Sequence, residues 1–561
     1  MMRFPLQLSG PSSLFARLLP WCGLLLLAAA PGFGAGAGER AVSVGADGRL
    51  VYRPDAFGNT VPDFSMAGYR HGGVALPVAP VLETLHPSAG PADDTARIQA
   101  ALDRAAKAPA GAENGVRGAV LLTRGAYRCG SALRVVSGVT LRGEGQEAGG
   151  TVITATRVPA RSEEKPTLIQ MQGPRGTPGL GEVHAVLDAA VPIGARRLRV
   201  AGAAAFAPGD AVFVERRPNQ AWIHDLKMDR IEQLTQGGQQ WKPDGYGLRW
   251  QARVAAVEGD LLTLDTPVLC ALESRYDQST VRKISAEVRG RAAAVERVRL
   301  VSVYAAGKEN KDEAHAWNAI SLNELVDSWV REVTAVHFAY ACVAVGKGAA
   351  RITVQDCAML DPVSEITGGR RYSFVGGGQF VLFQRCYTRH GRHDFVTGHG
   401  DLGPTVFLDC LAEETHADIG PHHRWACGQL YDNVRGGQIH VQDRGRSGTG
   451  HGWSGNAQVF WNCAADSLLC QKAWIPSAQN WAIGCIGRKG KPALPGRPDG
   501  WWESFGQTVA PRSLYLAQLS ERIQRAGGDA EAALRAVTTP EQRQGSLWAN
   551  LRQRYGADRG Q

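Results

Sequence analysis

Five runs decide how this chain folds: RITVQDC (351–357), FVLFQRC (380–386), TVFLDC (405–410), QVFWNC (458–463) and NWAIGC (480–485). Each is a short apolar segment that closes on a polar–apolar pair. Related pairs are Glu332-Val333 and Asn433-Val434, so successive pairs lie 24, 29, 24, 24, 29 and 22 residues apart. A period of 20 to 30 residues with short strands in each period is the mark of a solenoid. One period cannot bury its own apolar face, whereas stacked periods bury a continuous core. Strand spacing sets successive rungs about 4.8 Å apart, so residues at equal offsets line up along one side. Asp361, His390 and Glu414 each stand four residues after their rung cysteine and are expected to be neighbours. Cys357, Cys386, Cys410, Cys463 and Cys485 are expected to stack in the interior as small buried hydrophobes, mostly reduced.

Working outward, the stretch PADDTARIQAALDRAA (91–106) reads as a helix. Asp93, Asp94 or Thr95 can cap it, and Ile98, Ala101, Leu102 and Ala105 form one apolar stripe. Short strands divided by glycine turns follow at 119–123, 132–145 and 151–155. The order DDT-x-x-IQ-x-AL-D, strand, G-x-Y, SGVTLRGEG and TVI resembles the opening of pectate-lyase-like right-handed parallel β-helix proteins, over about 90–155. The resemblance implies an all-β right-handed parallel β-helix whose open end is capped by that helix. It leaves the reaction open, because the superfamily includes lyases, glycoside hydrolases and phage tailspikes.

The rung pattern breaks at 176–278, where alternating segments suggest a small antiparallel β insertion. Its Trp222 and Trp241 either line a sugar cleft or pack the insertion onto the solenoid, with packing slightly ahead. The expected organisation is a signal at 1–37, first rungs over 38–175, the insertion, the main β-helix over 279–490, and a linker with a helical tail over 491–561. The tail helices are expected to cover an edge or end of the solenoid. Arg3, Arg17, the apolar run 18–30 and Ala35-Gly36-Ala37 read as a secretory signal cleaved after Ala37. The protein is therefore expected to be secreted or periplasmic, with no stable membrane insertion. Composition is that of a globular protein, with 68 glycines suited to many turns and a net charge of +9 that mildly favours an acidic partner.

Function concentrates in Gly369–Gly455. Eight of the chain's 14 histidines fall between His390 and His451, interleaved with arginine and aspartate. Imidazole titrates near neutral pH and serves as base, acid or metal ligand. Three readings compete. A lyase removes the proton next to a uronate carboxylate and needs a base together with a cation on the carboxylate. A glycoside hydrolase needs two carboxyl groups flanking the bond. The candidates for those are Asp361, Glu365, Asp394, Asp401, Glu413, Glu414, Asp418 and Asp443. Gly398-His399-Gly400 and Gly450-His451-Gly452 resemble the Gly-His-Gly of polygalacturonase-type hydrolases, but that family's Asn-Thr-Asp and Arg-Ile-Lys are missing. A non-catalytic glycan-binding solenoid would not concentrate titratable groups on two or three rungs. The first reading leads: a polysaccharide lyase acting on an acidic polysaccharide, with no nucleic-acid partner, as a monomer. His393 and His416 are the candidate bases. Arg424 and Arg444 are assigned to the carboxylate. His390, Arg392, Asp394, Asp418, His422, His423, His451 and Trp453 are assigned to substrate binding. No metal or other cofactor is expected: Ca²⁺ would want a cage of oxygens, and a transition metal on His416, His422 or His423 is the competing use.

Overall fold

A computed structural model describes residues 40–558 except 162 and 546. The expected signal lies outside the described residues. One rung illustrates the rest. Strand Ala350–Gln355 is followed by Asp356 alone in the left-handed region, φ 55°, and strand Ala358–Leu360 leaves at an angle. A second left-handed residue, Asp361 at φ 49°, ends that strand. A loop then leads to strand Phe374–Gly376, and a short turn reaches the next rung at Gln379–Gln384. Parallel pairs Ile352↔Val381, Ala358↔Tyr387 and Phe374↔Phe395 stack the rungs on three faces. The result is a right-handed parallel β-helix.

The polar member of each pair is that left-handed corner. Glu332, Asp356, Arg385, Asp409, Asn433 and Asn462 all have φ between 50° and 55°, and Gly484 has 69°. The apolar member points inward. Val333, Cys357, Cys386, Cys410, Val434, Cys463 and Cys485 are fully buried and follow one another rung by rung. All ten cysteines among the described residues are free and buried.

Helix Thr95–Ala105 closes the N-terminal end, burying Ile98, Ala101, Leu102 and Ala105 against the first rungs. The insertion is a six-stranded antiparallel sheet that includes Ala211–Pro218, Leu248–Glu258 and Asp277–Lys283. It packs on the solenoid through Trp222, Trp241, Trp425, Cys427 and Trp453, with the Trp222 and Trp425 rings 5.1 Å apart. Trp453 is therefore not a substrate contact: it is fully buried, and its indole N–H donates to the Leu226 carbonyl at 3.2 Å.

The proline- and glycine-rich segment after 490 is a loop within the solenoid, because Trp501–Glu503 adds one more parallel strand beside Trp481–Ile483. The tail helices Leu514–Arg525, Ala530–Val537, Pro540–Gln544 and Trp548–Tyr555 then run back along the left-handed corners. Asn462, Asp409, Arg385, Asp356 and Arg299 are each held by a residue of 509–558. The tail thus covers a long corner of the solenoid, not its end.

Candidate functional site

The third face carries the candidate site. Its strands include Ala341–Val345, Phe374–Gly376, Phe395–Thr397 and Gly420–Pro421. On one side stand the loops that arrive from the second face, at 361–373, 390–394 and 414–419. On the other stand the loops that leave for the first face, at 398–401 and 422–425, together with the insertion. Because Phe374 pairs with Phe395, the residues just before those strands, Tyr372 and His393, are brought together with ring centroids 4.9 Å apart.

Around them the solenoid gathers imidazoles from three rungs. His422 lies 4.2 Å from His393, 4.8 Å from His451 and 5.3 Å from both His423 and Tyr372, centroid to centroid. His393 Nδ1 stands 2.7 Å from the Asp418 carbonyl. A carbonyl only accepts, so Nδ1 carries the proton and the lone pair is on Nε2, which is buried and unpaired. Nδ1 of His422, His423 and His451 is likewise unpaired. Burial, reinforced by Arg392 and Arg444, holds the His393 pKa down to about 4 against the pull of Asp418. Burial, Arg444 and Arg424 hold His451 at about 4, and burial, His451 and Arg424 hold His423 at about 3. His422 is lowered furthest, by burial and by His393. The whole cluster is uncharged at neutral pH. Burial raises the Tyr372 phenol, while Arg392 pulls it back.

Asp418 anchors the cluster from below. It pairs with Arg444 at 2.7 Å and lies 3.4 Å from His393 Nδ1 and 4.0 Å from His440. Burial pushes its pKa up, but Arg444, His393 and His440 outweigh this, and the net shift is downward. Arg444 is thereby committed to Asp418. Arg424 donates to the Thr449 carbonyl and hydroxyl and to the Gly450 carbonyl, so it fastens the 447–450 loop. Neither arginine is free for a substrate carboxylate as the sequence reading had it. Arg392, bonded to the Gly368 carbonyl, is half-exposed beside Tyr372 and His393. Asp394 is fully enclosed: one carboxylate oxygen accepts from Ser373 and Thr388, and burial raises its pKa to about 6. It cannot reach a substrate.

His390 and His416 belong to a neighbouring pocket of about 420 Å³, lined also by Tyr304, His337, Asp361 and Arg371. The expected alignment of Asp361, His390 and Glu414 is realised, with His390 Nδ1 2.8 Å from Asp361 and Nε2 2.5 Å from Glu414. Sequence reasoning missed Tyr372 and Arg371. Both lie in RRYSF (370–374), inside the stretch that drew attention, but only the Phe374↔Phe395 register shows that they face the histidines. Among the described residues no group of three or more His, Cys, Asp or Glu side chains is arranged to hold a metal ion, and no helix is long and apolar enough to cross a membrane.

No family model matches the chain, and no curated protein matches it. Among solved structures it is similar to the tailspike protein gp49 from Pseudomonas phage LKA1, at 15% identity and a TM-score of 0.44. The match covers 72% of this chain but only 58% of the tailspike. A ι-carrageenase complexed to ι-carrageenan fragments matches at 9% identity and a TM-score of 0.28, covering 72% of this chain and 58% of the enzyme. DFA-IIIase from Arthrobacter chlorophenolicus A6 matches at 8% and 0.30, covering 74% of each chain.

Proposed function

We propose that the chain is an exported polysaccharide lyase that cleaves a uronate-containing polymer in the groove of the third face. One observation carries this reading. The third face holds neutral imidazoles with unpaired nitrogens beside guanidinium groups, while five of the eight candidate carboxylates are already engaged and Glu365 and Glu414 are exposed away from the cluster's buried nitrogens. Asp361 is bound by Arg389 and His390, Asp418 by Arg444, Asp443 by Arg497, Glu413 by Arg552, and Asp394 by two hydroxyls. A hydrolase needs a free pair flanking the bond.

In this mechanism His393 Nε2 takes the proton from the carbon beside the uronate carboxylate. The C–H electrons become the new C=C bond, and the adjacent C–O bond breaks. Tyr372 O–H gives its proton to the departing oxygen. Arg392 faces the carboxylate and stabilises the charge that develops on it. The Asp418 carbonyl fixes the His393 tautomer. His393 is 1% exposed and His422, 4.2 Å away, is 6% exposed, so this mechanism requires the His422 ring to move before a sugar meets His393 Nε2.

The test is to incubate the purified protein with a panel of uronate polymers and follow the ultraviolet absorbance of the unsaturated product. His393→Ala and Tyr372→Phe should each lower the rate by about 10²–10⁴ with the fold intact. The acid limb of kcat/KM should fall with a midpoint near 4, where burial places His393, instead of the unperturbed value of about 6.5. Saturated reducing-end products without the absorbance would replace the lyase with a hydrolase. Binding without turnover would leave a glycan-binding solenoid.

A further inference from the structure

The pocket beside the histidine cluster contains a buried cation that no carboxylate among the described residues pairs with. Arg371 is 2% exposed, and its guanidinium donates to the carbonyls of Ser364 at 2.6 Å, Glu309 at 3.3 Å and His390 at 3.5 Å, and to Asn310 Oδ1 at 2.9 Å. All four partners are neutral. No carboxylate among the described residues pairs with it, and its Nε–H is buried without an acceptor. Its neighbours are different: Arg370 is paired with Glu313 at 2.5 Å, and Arg389 with Asp361 at 2.5 Å. A buried charge is ordinarily paired, because desolvation is otherwise uncompensated. Burial alone lowers the Arg371 pKa to about 10.

The rest of the pocket suits a charged sugar. His416 is exposed, and its ring stacks on His390 at 6.2 Å with no hydrogen-bond partner among the described residues. Pro362, Val363, Ile366 and Tyr304 supply an apolar wall. The volume of about 420 Å³ falls in the ordinary range for ligand pockets. Of the two carboxylates on the lining, Asp361 is neutralised by Arg389 and His390, and Glu309 turns to the Gly307 N–H at 3.1 Å.

We propose that this pocket is a carboxylate-binding subsite in which Arg371 and His416 hold the carboxylate of a uronic acid residue adjacent to the one being cleaved. The choice of a uronate rests on the lyase reading, whereas the preference for a carboxylate rests on Arg371. The closing experiment separates the two. In the full chain carrying His393→Ala, binding of free galacturonate, glucuronate, galactose and acetate is measured by calorimetry or ligand-observed NMR. The uronates should bind, galactose should not, and acetate should bind more weakly than the uronates. Arg371→Gln should weaken uronate binding by about 10- to 100-fold, the loss of a charge-assisted contact. Ile366→Trp, which fills the pocket away from the guanidinium's bonds, should do the same and decides the matter if Arg371→Gln does not fold. Equal binding of galactose, unchanged binding in Ile366→Trp, or acetate binding as tightly as uronate would overturn the subsite. Arg371-dependent uronate binding in a chain that makes no unsaturated product would retain the pocket and remove the lyase. Unsaturated product with uronate binding insensitive to these changes would do the reverse.

Discussion

At the scale of the residue, burial decides chemistry. The same desolvation that keeps the histidine cluster neutral acts with opposite sign on Asp394, raising its pKa from 3.8 to about 6. The folded state therefore binds that proton more tightly than the unfolded state does. The stability linked to this group is fully present below about pH 4 and is lost as pH rises through about 6. A shift of this size corresponds to a loss on the order of 3 kcal/mol by neutral pH. Asp394→Asn removes the charge and keeps an oxygen for Ser373 and Thr388. Urea unfolding should show the variant gaining on the wild type between pH 4.5 and 7.5, with the smaller difference at the lower value. A constant difference across that range would mean that Asp394 stays ionised. Asp394 was legible as an acid among histidines, yet its enclosure was not, since it follows from Ser373 and Thr388 on two different rungs closing over one carboxylate.

At the scale of the element, the left-handed corner explains why the fold was readable. The period fixes a residue at φ near 50° at the first corner of each rung, and the next must point inward, so the pair repeats however the loops vary. That repetition also brought Asp361, His390 and Glu414 together correctly from their equal offsets. The loop at 361–373 has no such period, and so Arg371 and Tyr372 went unseen. The corner makes its own prediction. Glu332 is in the left-handed region at φ 52°, and its contact to Arg297 is a 3.6 Å pair with both partners over a third exposed. An exposed pair of that kind contributes little, while a left-handed conformation costs a non-glycine residue about 1–2 kcal/mol. Glu332→Gly should raise the unfolding free energy by about 0.5–1 kcal/mol after the extra unfolded-state entropy is counted. Asp356→Gly should act oppositely, because Asp356 receives two 2.8 Å bonds from the buried Arg385. If both substitutions destabilise alike, corner strain is not the governing term.

At the scale of the whole molecule, the tail ties together rungs that otherwise touch only their near neighbours. A solenoid's stability is otherwise close to a sum over rungs and their interfaces. Here residues 509–558 return along the corners and supply partners to groups that the rungs bury but do not satisfy. The helices were legible from their apolar stripes, but their docking path was not. It depends on which corner groups keep polar atoms that the solenoid leaves for the tail to meet. Asp409 shows the consequence: it is fully buried, and Arg512 gives it two bonds at 2.8 and 2.7 Å from more than a hundred residues away. Arg512→Ala leaves an unpaired buried carboxylate and should cost about 3–5 kcal/mol in chemical unfolding. Adding Asp409→Asn should return much of that loss, because the charge that could not be solvated is gone. A single-variant loss below about 1 kcal/mol, as for a surface pair, would show that the tail lies on the solenoid without bracing it. A loss of the larger size that the second substitution does not relieve would place the tail's contribution in its apolar contacts, such as Leu514 and Leu519 against Leu430 and Val459, and not in the corner charges.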